Sequence, residues 1–186
     1  GLNFFDYMAL LTTGRGGTFD RGADGSLTYR PSGQEPVMYA SSRRGVPYHS
    51  RGANQKGAHG RHHPRLLTAE YITRLRASST DGKRPYFAED LWPLIRREVE
   101  SVYYATLLTS RGKDAAAFTD SYLALALDAD PVPLLELAGV EPADRWDWEH
   151  VISPLMDQEF TDRDAFQAWL RDYLVRDVRE ARAGNV

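Results

Sequence analysis

The chain has 186 residues, 42% of them hydrophobic and 26% charged, with a net charge of -3 and no cysteine. That composition belongs to a globular protein able to bury a core. It excludes disulfides, a thiolate nucleophile and thiolate metal ligands, and it gives no general attraction to nucleic acid or an anionic membrane.

The elements follow in chain order. Asn3 to Leu11 reads as a short apolar helix, stopped by Gly14, Gly16 and Gly17. Thr18 to Arg21 and Leu27 to Arg30 flank Ala23-Asp24-Gly25, a β-hairpin signal. Pro31-Ser32-Gly33-Gln34 is a further turn, and Val37 to Ser41 is an apolar strand candidate. Gly45 to Pro64 lacks periodicity and reads as a long irregular loop, of a length that is often functional.

After the loop the pattern is helical. Thr68 caps a helix carrying Tyr71, Ile72 and Leu75. A long helix runs from about Ala88 to Ser110, with Leu91, Ile95, Val99 and Val102 as its apolar stripe and Arg96-Arg97-Glu98 on a solvated face. Pro93 falls in its first turn, where a missing N–H costs little. Asp114 opens a helix with Phe118, Tyr122, Leu125 and Ala126 in register. Asp130-Pro131 caps a short helix closed by Gly139. Thr161 to Asp164 starts the last helix, whose stripe is Phe166, Trp169, Leu170, Tyr173, Leu174 and Val178, and Gly184 ends it. The expected fold class is α+β and mainly helical: a small α/β fragment with a hairpin, then a bundle of five or six helices. The expected domains are 1–65 and 66–186.

Four segments could carry chemistry. Gly1-Leu2-Asn3 sets a glycine before a nearly uncharged helix. A dinucleotide site needs a strand, a glycine-rich turn and a helix whose first N–H groups face the pyrophosphate. Only the helix side is present, so a chain that begins here without an initiator Met is expected to be a piece of a larger protein. An ordinary apolar helix with a frayed start is the competing reading.

The second segment is Ser41-Ser42-Arg43-Arg44, at the end of the strand candidate. If that strand is the second of a dinucleotide unit, its end meets the adenosine ribose. It offers no acid for a 2′-hydroxyl, and its guanidiniums suit a 2′-phosphate, which favours NADP over NAD. A solvated basic loop is the alternative. With three lysines and twenty arginines in the chain, a single arginine weighs less than usual.

The third segment is the Gly-rich loop. Arg51, Asn54, Lys56, His59 and Arg61 supply donors, and Gly52, Gly57 and Gly60 let backbone approach a ligand. An anion pocket and a flexible basic loop are both consistent with it. His59, His62 and His63 have a metal-like spacing, but Gly60 and Pro64 oppose a helix and no carboxylate lies nearby in sequence, so no metal site is expected. The fourth segment is Asp144-Arg145-Trp146-Asp147-Trp148-Glu149-His150. A hydrolase would pair Asp147 or Glu149 with His150 as acid and base. The simpler reading is a turn whose indoles plug a helical core while the acids face water.

Taken in order, Gly1-Leu2-Asn3-Phe4-Phe5-Asp6, Gly14-Arg15-Gly16-Gly17, Tyr29-Arg30-Pro31-Ser32-Gly33-Gln34-Glu35-Pro36 and Ser42-Arg43-Arg44-Gly45-Val46-Pro47 resemble a large family of bacterial FAD/NAD(P)-binding proteins, similar in outline to flavin-dependent monooxygenases and reductases. The resemblance covers residues 1 to about 67 and is looser through the helices. It implies an internal segment of an FAD/NAD(P)-dependent oxidoreductase, with a helical cap inserted between dinucleotide-binding parts. Gly1, Leu2 and Asn3 would belong to the pyrophosphate turn, Ser41, Ser42, Arg43 and Arg44 to the 2′-phosphate, and Arg51, Asn54, Lys56, His59 and Arg61 to an anionic pocket. FAD and NADP would be cofactors of the parent, with none held by this segment alone. The expected partners are a nicotinamide dinucleotide and the remainder of the parent chain. Neither a membrane nor nucleic acid is an expected partner, and the default location is the cytoplasm. The alternative from another class is a non-catalytic helical interaction module, gripping an acidic partner or RNA through its basic loop. The catalytic residues are not legible.

Overall fold

Among the residues described by this computed structural model (3–52, 62–79 and 84–183), seven helices and one hairpin follow one another. Helix α1 is Asn3–Leu11, β1 Thr18–Arg21, β2 Leu27–Arg30, α2 Ala69–Ala77, α3 Trp92–Ser110, α4 Ala116–Ala124, α5 Val132–Leu137, α6 Trp148–Ile152 and α7 Arg163–Ala183. The class is α+β and mainly helical, with six helices after the Gly-rich loop. The chain divides into two compact units, one of residues 1–53 with 148–185 and the other essentially 54–147.

In the first unit α1 ends where the Thr12 and Thr13 hydroxyls donate to the Met8 and Ala9 carbonyls, and Gly16 turns the chain at φ 90°. The hairpin is antiparallel and in register, Phe19 opposite Tyr29 with ring centroids 5.1 Å apart. A side-chain latch sets its base. The Glu35 carboxylate accepts from the Tyr29 hydroxyl at 2.6 Å, the Ser32 amide at 2.8 Å and the Gly33 amide at 2.9 Å. Gly17 is buried against the hydroxyl end of the Tyr29 ring, which a Cβ at this position would have to displace.

The Tyr29 hydroxyl and the Ser32 amide hold the Glu35 carboxyl down to about 2, well below the ordinary 4.5. A carboxylate depressed in the folded state stabilises above its ordinary pKa, and the contribution fades as pH falls through the folded value. The Ser32 and Gly33 amide resonances are therefore expected to titrate with a midpoint near pH 2, and to lose that titration in Glu35→Gln. A midpoint above pH 4 in the parent protein would refute the latch.

Val37–Ser41, expected as a strand, is not one. Val37 is 80% and Tyr39 94% exposed. A strand is defined by its partner, and β1 and β2 pair only with each other among the described residues. Helix α7 carries the aromatic packing of this unit: Trp169 stacks on Tyr173 at 5.3 Å, and Phe160 meets Phe166 and Trp169 at 5.2 and 5.7 Å. Its expected stripe is half-buried except for Val178, which is exposed, and Gly184 lies outside the described residues. Asp162 accepts from the Ala165 amide at 2.8 Å and caps the helix.

The second unit holds the denser core. Tyr104, Leu108, Phe118, Tyr122, Leu135 and Val140 are buried together, with Trp146 packed against them. The Thr68 hydroxyl caps α2 by accepting from the Tyr71 amide, Asp114 accepts from Ala116, and Asp130 accepts from Val132. Gly139, at φ 72°, closes α5. Helix α4 stops at Ala124, so Leu125 and Ala126 lie beyond it.

Two expectations for the long helix are corrected. A π-helical turn, Phe87–Leu91, precedes α3, so the α-helix begins later, at Trp92. The buried face is Leu94, Arg97, Glu98, Ser101, Tyr104 and Leu108, whereas Val99 and Val102 are exposed. Arg97 and Glu98 are 5% and 7% exposed and form no solvated face. Polar side chains tolerate this stripe because each finds partners inside: Arg97 donates to the Tyr122 and Ala126 carbonyls, and the Ser101 hydroxyl to the Glu98 carbonyl.

Candidate functional site

The candidate nucleotide rim lies in the first unit. Asn3 opens α1, and Gly1 and Leu2 lie outside the described residues. Helix α1 buries no residue, although both faces are apolar: Phe5, Tyr7, Met8 and Leu10 are all exposed.

Ser42 to Gly45 form a tight turn. The Gly45 amide donates to the Ser42 carbonyl at 3.1 Å, and the Ser42 hydroxyl donates to the Val46 carbonyl at 2.8 Å. Gly45 sits at φ 72°, where a Cβ would strike Leu155. The turn is thus fixed by Val46, which is 4% exposed, and by the segment after α6. Ser41 and Arg43 are exposed, and Arg43 has no ionic partner among the described residues. Arg44 is half-buried, and its Nε is buried without a hydrogen-bond partner among the described residues. The exposed Arg43 guanidinium suits an anion with several acceptor oxygens, such as a phosphate.

The entry to the Gly-rich loop is clamped on α7. Asp177 lies 2.7 Å from His49 Nδ1 through one carboxylate oxygen and accepts from the Ser50 amide at 2.7 Å through the other. Partial burial opposes ionisation of Asp177, but the Ser50 amide and the His49 ring prevail and hold its carboxyl below the ordinary range. Gly52 passes the Ala181 carbonyl so closely that a Cβ would not fit, and Arg51 beside it is exposed. Asn54, Lys56, His59 and Arg61, the other expected anion ligands, lie outside the described residues.

In the second unit the chain after the loop is clamped on α3. Glu98 accepts from the Arg65 amide at 2.8 Å and the Leu66 amide at 2.9 Å, and His62 Nε2 lies 3.1 Å from it. A carboxylate therefore does accompany His62, from 36 residues away, where sequence spacing shows none. No group of three histidines or acids able to hold a metal occurs among the described residues. The Asp144–His150 segment divides at the boundary of the units. Trp146 packs against the core as expected of a plug, Asp147 and Glu149 are exposed, and His150 Nδ1 lies 3.9 Å from Asp157. No helix among the described residues is long and apolar enough to cross a membrane.

Neither the Asp177 clamp nor the Glu98 clamp is legible in the sequence, because the partners lie 128 and 33 residues apart. An acid at a helix position that reads as solvated gives no local sign that it will fold over a distant backbone.

No family model matches the chain. It is 55% identical over its whole length to an L-aspartate N-monooxygenase (nitrosuccinate-forming) from Streptomyces cremeus, of which it covers 28%. An enzyme of the same name from Streptomyces davaonensis is also 55% identical, with 29% covered. The nitrosuccinic acid synthase npaA from Aspergillus oryzae is 47% identical, with 28% covered. The chain thus spans under a third of the length of these relatives, and at this identity it is homologous to one segment of larger proteins, two of them named as L-aspartate N-monooxygenases and one as a nitrosuccinic acid synthase.

Proposed function

We propose that the chain is an internal segment of an FAD- and NADPH-dependent N-monooxygenase acting on L-aspartate, and that it helps to hold the nicotinamide dinucleotide. The observation that carries the reading is identity of about half over the full chain to two proteins named for that chemistry and a third named as a nitrosuccinic acid synthase. Two features of the fold support a segment that completes itself against more protein. Helix α1 is apolar yet buries nothing. Of the buried hydrophobic side chains among the described residues, only Val46 lies in the first unit.

In this reading Arg43 and Arg44 grip the 2′-phosphate, with the Ser41 hydroxyl beside them. The Ser42 hydroxyl keeps the turn closed by its bond to Val46 while its lone pairs remain available. Asn3, with Gly1 and Leu2, belongs to the pyrophosphate turn. Arg51, Asn54, Lys56, His59 and Arg61 meet a further anionic group of cofactor or substrate. When bound, the nicotinamide and flavin supply the reducing equivalents for oxygenation at nitrogen.

The test uses the full-length gene product. It is expected to purify with flavin colour and to consume NADPH when L-aspartate is added. Arg43→Ala is expected to weaken NADPH roughly 10- to 100-fold, from about 1.5–3 kcal/mol for a charge-assisted bond, with NADH little changed. A colourless protein whose melting temperature neither FAD nor NADPH raises would overturn the proposal.

A further inference from the structure

A stretch of α7 turns an unpacked face outward. Arg171, Leu174, Val175, Val178, Arg179 and Arg182 line a shallow open trough of about 560 Å³ in the first unit. Their spacing of three and four residues sets them on one side of the helix. The opposite side does the packing: Trp169 stacks on Tyr173, and Asp177 and Ala181 meet the chain at His49 to Gly52. On the outer side Val175 is 62% and Val178 39% exposed, with the half-buried Leu174 beside them. Exposed aliphatic side chains scattered singly carry no meaning. These are contiguous and rimmed by charge, the pattern of an interaction surface.

The rim has one sign, because every charged residue lining the trough is an arginine. Arg179 pairs with its neighbour Glu180 at 3.2 Å. Arg171 and Arg182 are exposed and have no carboxylate partner among the described residues. Arg182, in the last turn, suits the helix dipole. Arg171 sits in the middle of the helix and has no such use. The two positions stand about 16 Å apart along the axis.

A second copy of the chain does not answer this face. Antiparallel packing centred between Val175 and Val178 sets Arg171 against the partner's Arg182, and parallel packing sets each arginine against itself. Both juxtapose like charges. The exposed helix α1 carries one acid, Asp6, and meets one arginine only. The strip is also too small for a free protein. Three aliphatic side chains and the arginine stems fall far short of the roughly 800 Å² per side of a stable interface. A tethered partner needs less, because a linker raises its effective concentration to about the millimolar range. More than two thirds of the length of the relatives lies outside the matched segment.

We propose that this face of α7 docks an amphipathic helix from the remainder of the parent chain, its apolar side on Leu174, Val175 and Val178 and an acid near each end at Arg171 and Arg182. The proposal rests on the chain being one segment of a longer protein, and on neither cofactor nor substrate.

The test is photo-cross-linking in the full-length protein, with p-benzoylphenylalanine in place of Val175. The expected product is an internal cross-link to an acid-bearing peptide outside these 186 residues. Arg171→Glu, at an exposed position, should lower the yield at least fivefold. Changing an acid of the captured peptide to arginine should restore the yield in the Arg171→Glu protein. Cross-links only between copies, products confined to residues 1–186, a captured peptide without acids, or no product would overturn the proposal. So would a loss of less than fivefold in Arg171→Glu. These outcomes are separate from the cofactor reading. Flavin-coloured protein that consumes NADPH and captures no outside peptide would sink the docking and leave the enzyme. Capture in a colourless protein that binds neither FAD nor NADPH would do the reverse.

Discussion

Tyr122→Ala is expected to destabilise the second unit by about 3–5 kcal/mol, the usual loss for an aromatic ring removed from a core. Tyr122 is 0% exposed and stands at the centre of the aromatic packing. Tyr104 meets it edge-on at 5.4 Å, Phe118 stacks on it at 5.5 Å, and Arg97 lies over its ring. Removal leaves a void between α3 and α4 and takes away the hydroxyl that donates to Glu100. Burial, together with the neighbouring Glu100 carboxylate, pushes the Tyr122 phenol far above its ordinary pKa, so it stays a neutral donor at any pH the fold survives. Tyr122→Phe separates the two contributions. It keeps the ring and loses one bond, for a cost of about 1–2 kcal/mol. With two units present, global melting is not a safe readout. Hydrogen exchange of the α3 and α4 amides is the measurement, and unchanged protection there in Tyr122→Ala would show that the ring is not central.

Glu98→Ala is expected to cost a similar amount, about 3–5 kcal/mol, because it strands a buried network rather than a ring. Two backbone amides, Arg65 and Leu66, lose their acceptor together, and His62 loses its carboxylate. The effect should be local at first: residues 62–66 lose exchange protection while the α4 and α5 amides keep theirs. Glu98→Gln is the sharper variant. Its amide nitrogen must face one of two N–H donors, so the near-isosteric change should still cost about 1–3 kcal/mol. Equal stability of Glu98→Gln and the parent protein would mean that the carboxylate does not hold this segment.

What is legible in the sequence is mostly local chemistry. Thr68, Asp114 and Asp130 read as caps because the amide each one accepts from is two or three residues away. The hairpin around Asp24-Gly25 is legible for the same reason, since Asp24 accepts from Ser26 and Gly25 takes a φ of 82°. A periodicity count misreads the α3 face because it treats Arg97 and Glu98 as solvent-facing. Their partners, Tyr122, Ala126, Arg65 and Leu66, lie 25 to 33 residues away. Val37–Ser41 misleads because apolar content marks a possible strand, while pairing alone makes one. Of the candidate rim, residue types and order are legible. The Ser42 bond to Val46 and the buried Nε of Arg44 become visible only in three dimensions.

The hairpin has a practical use. Its strands are exposed except for Tyr29, and its base is secured by Glu35 rather than by burial of the strands. At the tip, Gly25 has open space around it, with no atom within 4 Å of where a Cβ would stand. A tip of this kind accepts foreign chain without disturbing what lies below it. Ala23→Cys, in a segment with no other thiol, would give a unique attachment point for a fluorophore or spin label while leaving the Asp24 bond to Ser26 in place. Distances measured from that label to a second one on α7 would report the motions of this unit in solution.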